Sequence, residues 1–420
     1  MPDFLLDAAS NGLVHAGLSA KLWYLLAMTQ MTVLTVTLYL HRSQAHRSVD
    51  FHPVVAHCFR FWSWLTTSMI TREWVAIHRK HHAHSETVRD PHSPQVHGLQ
   101  TLLWRGTELY AQARLDDELL TKYGSGTPDD WIERRVYTPH CNWGPTLLLL
   151  VNVALFGVVG AGIWAIQMMW IPFWGAGVVN GLGHWWGYRN FETPDRSGNL
   201  FPVAFWVGGE ELHNNHHAFP SSAKFSLRRF EFDIGWLVIR MLSALGLASV
   251  KRVACAQDER SAHAGRRGFL QATLAPRVKV MTDFFRHVTL PALHDATPRG
   301  FMPSAQFRRA LADGGRWLDK EDRASLNAWI DAHRGVRTVL EFRAQLGALM
   351  EQRKFDARSK AFLRWVADAE RSGIDSLSAF AAALASGTKT ERRNGDRSRA
   401  SAHERLVDSN ELRESFDRVA

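Results

Sequence analysis

The sequence predicts an all-α integral membrane protein with three to four transmembrane helices, a cytoplasmic histidine-rich cap that binds metal, and a soluble helical C-terminal extension. Three observations lead there. Apolar stretches of membrane-spanning length recur in the first half of the chain. Short histidine clusters stand at or near their ends. From about residue 251 the pattern turns to charged and apolar residues alternating at helical spacing. The expected organisation is a membrane domain over 1–250, a helical extension over 251–385 and a charged, disordered tail over 386–420.

Residues 20–40 give about 20 mostly apolar residues ending at His41, enough at ~1.5 Å per residue to cross a ~30 Å hydrocarbon core. Residues 54–71 are apolar but contain His57 and Arg60, and read as a helix at or partly sunk into the interface. Two further spans, 143–160 and 163–183, are joined by a turn expected around Gly160 and Gly162; the second ends at His184. Arg42 and Arg47 follow the first span, Arg134 and Arg135 precede the second, and Arg189 follows the third. With these on the cytoplasmic side, the N-terminus is outside and every histidine cluster falls on the inner face. Beyond residue 251, the segments Ser304–Leu318, Arg323–His333, Arg337–Gln352 and Lys360–Leu384 read as helices. The last 35 residues are dense in Arg, Asp, Glu and Ser.

Composition narrows the class. A formal net charge of +9 suits nucleic acid or an anionic membrane surface. The apolar runs, holding Trp23, Tyr24, Trp164, Trp170 and Trp174, favour the membrane and argue against nucleic acid. Cys58, Cys141 and Cys255 form no CxxC spacing, so neither a disulfide framework nor a cysteine-held iron–sulfur cluster is expected. The N-terminus lacks the basic start and cleavage site of a secretory leader, leaving the first span as the targeting element.

Four clusters hold the chemistry: His41 with His46; His78, His81 and His82; Asn180 with His184; and His213, His216 and His217. Neutral imidazole is a good ligand for iron, zinc and copper and is costly to leave unpaired beside lipid. Spacings of i, i+3 and i+4 put the imidazoles of each trio on one helical face, and Asn180 and His184 share the i, i+4 relation. His41 and His46, five apart, differ by roughly 140° on an α-helix and would diverge unless the helix ends there or they serve two metals. Nine imidazoles exceed the four ligands of one tetrahedral site, so two metals are the simplest solution. The carboxylate class of di-iron bundles needs two Glu-x-x-His motifs; Glu210 to His213 is the single one in the membrane portion, so Glu210 reads instead as an orienting partner of a ligating imidazole. His15, His52, His57, His97 and His140 read as ordinary surface or core residues, with His84 and His92 intermediate.

The clusters and their flanks resemble those of the membrane fatty acyl desaturases, the family of the stearoyl-CoA desaturases and their bacterial relatives, over roughly residues 20–240. His78-Arg-Lys-His81-His82 runs on to Ser85-Glu86-Thr87 and Asp90-Pro91-His92. The third box reads Gly209-Glu210-Glu211-Leu212-His213-Asn214-Asn215-His216-His217-Ala218-Phe219-Pro220, and His184 is followed by Gly187-Tyr188-Arg189. The resemblance implies that the nine histidines bind two iron ions (Fe2+/Fe3+) and that Asn180 holds a water on one of them. It further implies O2 as co-substrate and an acyl chain kinked in a tunnel beneath the metals. The product would be a cis double bond, at the ninth carbon, in an acyl-CoA or a membrane phospholipid, and the location a bacterial inner membrane with the site on its cytoplasmic face. Two departures stand out: only about 20 residues precede the first span, and the His-Pro-Gly-Gly motif of a fused haem domain is absent. Electrons are therefore expected from a separate ferredoxin- or flavin-type donor.

Removing hydrogen from an unactivated methylene is beyond acid–base side chains and calls for a redox cofactor. Lys80, Arg89, Lys224, Arg228 and Arg229 could pair with CoA phosphates or lipid headgroups, or simply be positive-inside residues. The rival readings are a related di-iron membrane hydroxylase or carotenoid ketolase, and a non-enzymatic histidine-rich metal-binding membrane protein. The Asp90-Pro91-His92 and Asn180–His184 matches favour desaturation over the first. Sparse polar residues within the spans disfavour the second.

Overall fold

In the computed structural model, residues 10–254, 277–297, 304–313, 315, 318–351 and 355–386 are described. The chain is mostly helical and divides into two compact units, Met1–Ala256 and Gln257–Ala420. The expected tail over 386–420 lies outside the described residues except for Ser386, which ends the last helix.

In the first unit, α1 (Leu18–Thr35) continues without a break into wider π-type turns over Val36–Ala45. A short strand β1 (Val49–Phe51) leads to α2 (Pro53–Thr67) and α3 (Thr71–His84). Next come α4 (Leu99–Ala113), α5 (Asp117–Tyr123), α6 (Trp143–Phe156) and α7 (Val158–Ile171). α7 also passes into π-type turns, Pro172–Gly181, closed by a 3-10 turn at Leu182–His184. β2 (Val203–Ala204), α8 (His213–Ala218), β3 (Phe232–Asp233), α9 (Ile234–Ala244) and β4 (Ala248–Val250) complete the unit. β4 pairs antiparallel with β1, Asp50 opposite Ser249, tying the end of the unit back to the exit of α1.

Among the described residues two helical stretches, Leu18–Ala45 and Val158–His184, are long and apolar enough to cross a membrane. α6 is apolar but only 14 residues long, so the expected span over 143–160 is shortened. The reason is the position of the turn. The α6–α7 reversal occurs at Gly157, whose φ of +62° suits a residue without Cβ, rather than at Gly160 and Gly162. Gly160 instead lies inside α7, close against the α6 backbone at Asn152. α2 ends at Ser68 in left-handed conformation, short of the expected 54–71. Its Arg60 is buried and paired with Asp130 (2.5 Å) and Glu133 (2.9 Å), not reaching for an interface.

Arg42 corrects the charge count. Its side chain is 0% exposed, bonded to Asp233 at 2.9 Å and to the carbonyls of Gly208 and Ala223, with its guanidinium 3.8 Å over the Phe225 ring. It therefore cannot serve as a free positive charge at a membrane surface. Gly209, at φ +106°, fits beside this pair only because a Cβ there would strike Arg42 and Asp233.

The second unit runs through α10 (Arg277–Phe284) with a π-type continuation Phe285–Thr289, α11 (Leu290–Ala296), α12 (Ala305–Asp313), α13 (Lys320–Ala332), α14 (Arg334–Glu351), α15 (Phe355–Glu370) and α16 (Asp375–Ser386). One core gathers Phe284, Val339, Leu346, Trp365 and Phe380; another gathers Leu293, Phe307, Leu326 and Trp329. The single helix expected over Lys360–Leu384 is two, because Gly373 at φ +73° turns the chain between α15 and α16. The helix from Arg277 was not anticipated.

Removing one member of a buried ion pair strands the other charge, whereas replacing both with apolar residues does not. Asp233→Ala should accordingly cost about 3–5 kcal/mol in thermal or denaturant unfolding of the detergent-solubilised protein. The double variant Arg42→Met with Asp233→Leu should cost clearly less.

Candidate metal centre

All nine histidines come together, in two adjoining groups. His41, His46, His78, His82 and His216 form one, with ligand nitrogens within 4.8 Å of one another; His81, His184, His213 and His217 form the other. The groups abut where the His82 and His217 rings stack, 4.4 Å apart.

Local helix geometry explains the sorting. On α3, His78 and His82 share one face at i, i+4 and enter the five-membered group, while His81 at i+3 turns toward the other. α8 does the reverse, giving His213 and His217 to the four-membered group and His216 to the five-membered one. The π-type turns resolve His41 and His46. The amide of His46 donates to the His41 carbonyl (3.0 Å), an i→i+5 bond that brings the two rings to 4.9 Å within one group. The divergence expected from α-helical rotation does not arise, because the helix is not α there. Asn180 lies in the π segment before the 3-10 turn of His184, so its i, i+4 relation to that residue is also lost. Its side chain lines a cavity shared with His41, His78 and His213.

Four rings are held from behind by carboxylates. Nδ1 of His41 donates to Glu210 (2.7 Å), His81 to Asp90 (2.9 Å), His184 to Glu86 (3.0 Å) and His217 to Asp195 (2.9 Å). Each bond fixes the tautomer so that Nε2 presents its lone pair inward. Glu210 is itself held by the Thr37 hydroxyl. Burial works against its ionised form, but the His41 ring and the Arg42 guanidinium outweigh it and hold the carboxyl below its usual range. Asp195 is held well below its range in the same way, burial being overcome by His217, His184 and Ser197.

The inward nitrogens converge. Nε2–Nε2 separations are 2.8 Å for His46–His78, 3.0 Å for His41–His216, 2.9 Å for His82–His216 and 3.0 Å for His184–His213. Nε2 of His81 and of His217 is buried with no partner. Burial drives His46, His78, His82, His213 and His216 well below the ordinary histidine range, and His217 down to about 4, so these rings are neutral at pH 7. Metal–nitrogen bonds of about 2.0–2.1 Å place neighbouring donors roughly 3 Å apart, the spacing these Nε2 atoms already have. The donor set thus fits two metal ions. Trp74 stacks on His78, and His92 stacks on His81 with burial pushing its ring down to about 3. His84 instead bonds the Tyr123 hydroxyl.

Asp195 was not anticipated. Glu86 and Asp90 entered the sequence reading only as flanks of a histidine box. Their partners lie 98 and 9 residues away, and that of Asp195 lies 22 away, separations that carry no periodic signal.

The cavity, about 320 Å³, extends from His41, His78, His213 and Asn180 along Val33, Val36 and Ile171. Comparison with known proteins agrees with this geometry. A family model described as fatty acid desaturase matches residues 19–231. The Delta-9 acyl-lipid desaturase 2 of Arabidopsis thaliana is 30% identical over 248 residues, covering 56% of this chain and 75% of the relative. An sn-1 stearoyl-lipid 9-desaturase of Anabaena variabilis is 31% identical over 227 residues, 53% and 79% of the two chains. An icosanoyl-CoA 5-desaturase of Limnanthes douglasii is 32% identical over 228 residues, 52% and 60%. The convergence of the histidine boxes and the match over half of the sequence carry the same conclusion: the chain belongs to the fatty acid desaturase family.

Proposed function

We propose that this fatty acyl desaturase holds one iron ion in each histidine group and introduces a cis double bond, at the ninth carbon, into acyl chains esterified in membrane phospholipid or CoA. His41, His46, His78, His82 and His216 would serve one ion; His81, His184, His213 and His217 the other, with Asn180 at the cavity wall between metals and substrate. The observation that carries this is the inward convergence of nine buried or part-buried imidazoles at the head of a largely apolar cavity. Iron bound there would supply the dioxygen and electron-transfer chemistry that side chains lack.

The balance is one O2, two electrons and two protons with the saturated chain, giving the alkene and two waters. The electrons come from a separate ferredoxin- or flavin-type protein. The chain's own residues supply position. Glu210, Asp90, Glu86 and Asp195 hold protons at Nδ1 so that each ring keeps its donor orientation. The Trp74 ring stacks on His78 beside the cavity, and apolar walls exclude water from the reacting methylenes. The names of the relatives, acyl-lipid and stearoyl-lipid desaturases with one acyl-CoA desaturase, support both acyl carriers. The apolar stretches Leu18–Ala45 and Val158–His184 support membrane association. Placement of the site on the cytoplasmic face of a bacterial inner membrane rests on Arg47, Arg134 and Arg135, which are exposed.

His82→Ala and His217→Ala, one from each group, should each abolish desaturation and lower iron in the purified protein, measured by elemental analysis; full activity in either contradicts the assignment. Asp195→Asn keeps the shape of the residue but loses the carboxylate behind His217, and should lower iron affinity or activity by about 10–100-fold. In a host lacking desaturases, expression should yield monounsaturated chains two hydrogens lighter than their precursors. Mapping the bond in phospholipid and CoA pools identifies position and carrier, and a gain of one oxygen instead would indicate a hydroxylase.

A further inference from the structure

The acyl cavity opens to the outside along α4. Of the described residues that line it, only Thr107 and Ala111 are exposed. Both belong to α4, one turn apart, and Tyr110 and Arg114 line the wall beside them. The Tyr110 ring packs with Ala76, Ile77 and Leu119, yet its hydroxyl is buried with no hydrogen-bond partner. The two charges that act on it, Glu73 and Arg114, are engaged with each other at 2.9 Å. A buried hydroxyl left in this way is costly, and the hydrocarbon of an acyl chain does not relieve it.

The surroundings of the opening suit lipid. Trp104, three positions before Thr107, and Leu115, four after Ala111, are 74% and 80% exposed. Large apolar side chains bared on either side of an opening mark a surface that meets the bilayer. The cations of this wall are spent, Arg114 on Glu73 and Arg105 on Glu108 at 2.9 Å. Arg114 is the one Lys or Arg among the described residues lining the cavity; Lys80, Arg89, Lys224, Arg228 and Arg229 do not line it. The phosphates of CoA would thus find no free cation on this wall. An acyl chain enters methyl end first, so the group that stops nearest the opening is its carbonyl. We propose that Thr107 and Ala111 frame a lateral port for acyl chains esterified in membrane lipid, and that the Tyr110 hydroxyl donates to the ester carbonyl. That bond fixes how far the chain slides toward the histidines. The inference rests on the acyl-desaturase reading and narrows it to one of its two carriers.

The test uses the full-length, iron-loaded protein in phosphatidylcholine vesicles, with reduced ferredoxin as electron source and products quantified by mass spectrometry. Two matched lipids are offered, one carrying a stearoyl ester and one the same hydrocarbon chain in ether linkage, which lacks the carbonyl. The ester lipid should be converted about five- to tenfold better, the ratio that one hydrogen bond supplies. In Tyr110→Phe the two lipids should be converted alike. Ala111→Trp, which fills the opening, should stop conversion of both while bound iron, read by elemental analysis, is retained. Stearoyl-CoA offered beside the ester lipid should be the poorer substrate. Equal conversion of ester and ether lipids by the unmodified protein overturns the inference even if Tyr110→Phe fails to fold. An ester preference that survives in Tyr110→Phe, undiminished conversion in Ala111→Trp, or a preference for stearoyl-CoA also overturns it. The desaturase reading stands in each of these cases, because a chain is still converted. Failure to convert any substrate overturns both.

Discussion

Buried histidine ring nitrogens, paired about 3 Å apart, dominate the first unit. A carboxylate behind Nδ1, as Glu210 is behind His41 and Glu86 behind His184, accepts its N–H and turns Nε2 toward the facing ring. The facing rings of His216 and His213 have no such support, since their Nδ1 atoms are buried without a partner, a costly arrangement away from water. A cation held by these rings would draw on the converged Nε2 atoms, and the carboxylates would strengthen the donors whose far side they hold. Metal bound there would couple to folding of the histidine segments, because its donors come from four separate stretches of the chain.

Distributing nine rings between two centres is a problem of helical periodicity, and three different periods solve it. α-Helical i, i+4 pairs on α3 and α8 each feed one group while the i+3 residue feeds the other. Both short helices therefore serve both centres and fix the spacing between them. At the exit of α1, the i→i+5 turn brings His41 and His46 edge to face where an α-helix would have splayed them. At the exit of α7, π-type turns followed by a 3-10 turn deliver Asn180 to the cavity and His184 to the four-membered group.

These same departures from α geometry limited what was legible in the sequence. Residue type and rough spacing sufficed to single out the nine histidines and the pairing of Glu210 with a histidine, whereas Asn180 was reached through an i, i+4 relation that the π-type turns do not keep. The convergence of His41 with His46 was not legible, because it depends on a backbone period that the sequence reading did not assume. Glu86, Asp90 and Asp195 escaped because separations of 98, 9 and 22 residues from their partners carry no periodic signal and acidic residues are common throughout the chain. The α6–α7 turn was misplaced for a related reason: three glycines, Gly157, Gly160 and Gly162, stand close together. One bends the chain, and Gly160 admits the neighbouring helix. Composition alone does not separate a glycine needed for φ > 0 from one needed for close approach.

The buried cations carry that argument into topology. Counting Lys and Arg beside a span assumes that each side chain is free in water at the membrane surface. Arg42 and Arg60 break the assumption, since each spends its charge on internal carboxylates, Asp233 in one case and Asp130 with Glu133 in the other. Arg42 does more than drop out of the count. It is one residue from His41, and its partner Asp233 also accepts from the amides of Phe225 and Trp236, so the pair ties the exit of α1 to the segment following the third histidine box. Because Phe225 packs on both Arg42 and His216, a displaced Arg42 would be felt at the five-membered group through this ring as well as through the chain. The cation that sequence position assigns to the membrane surface is instead a structural post beneath the metal centre.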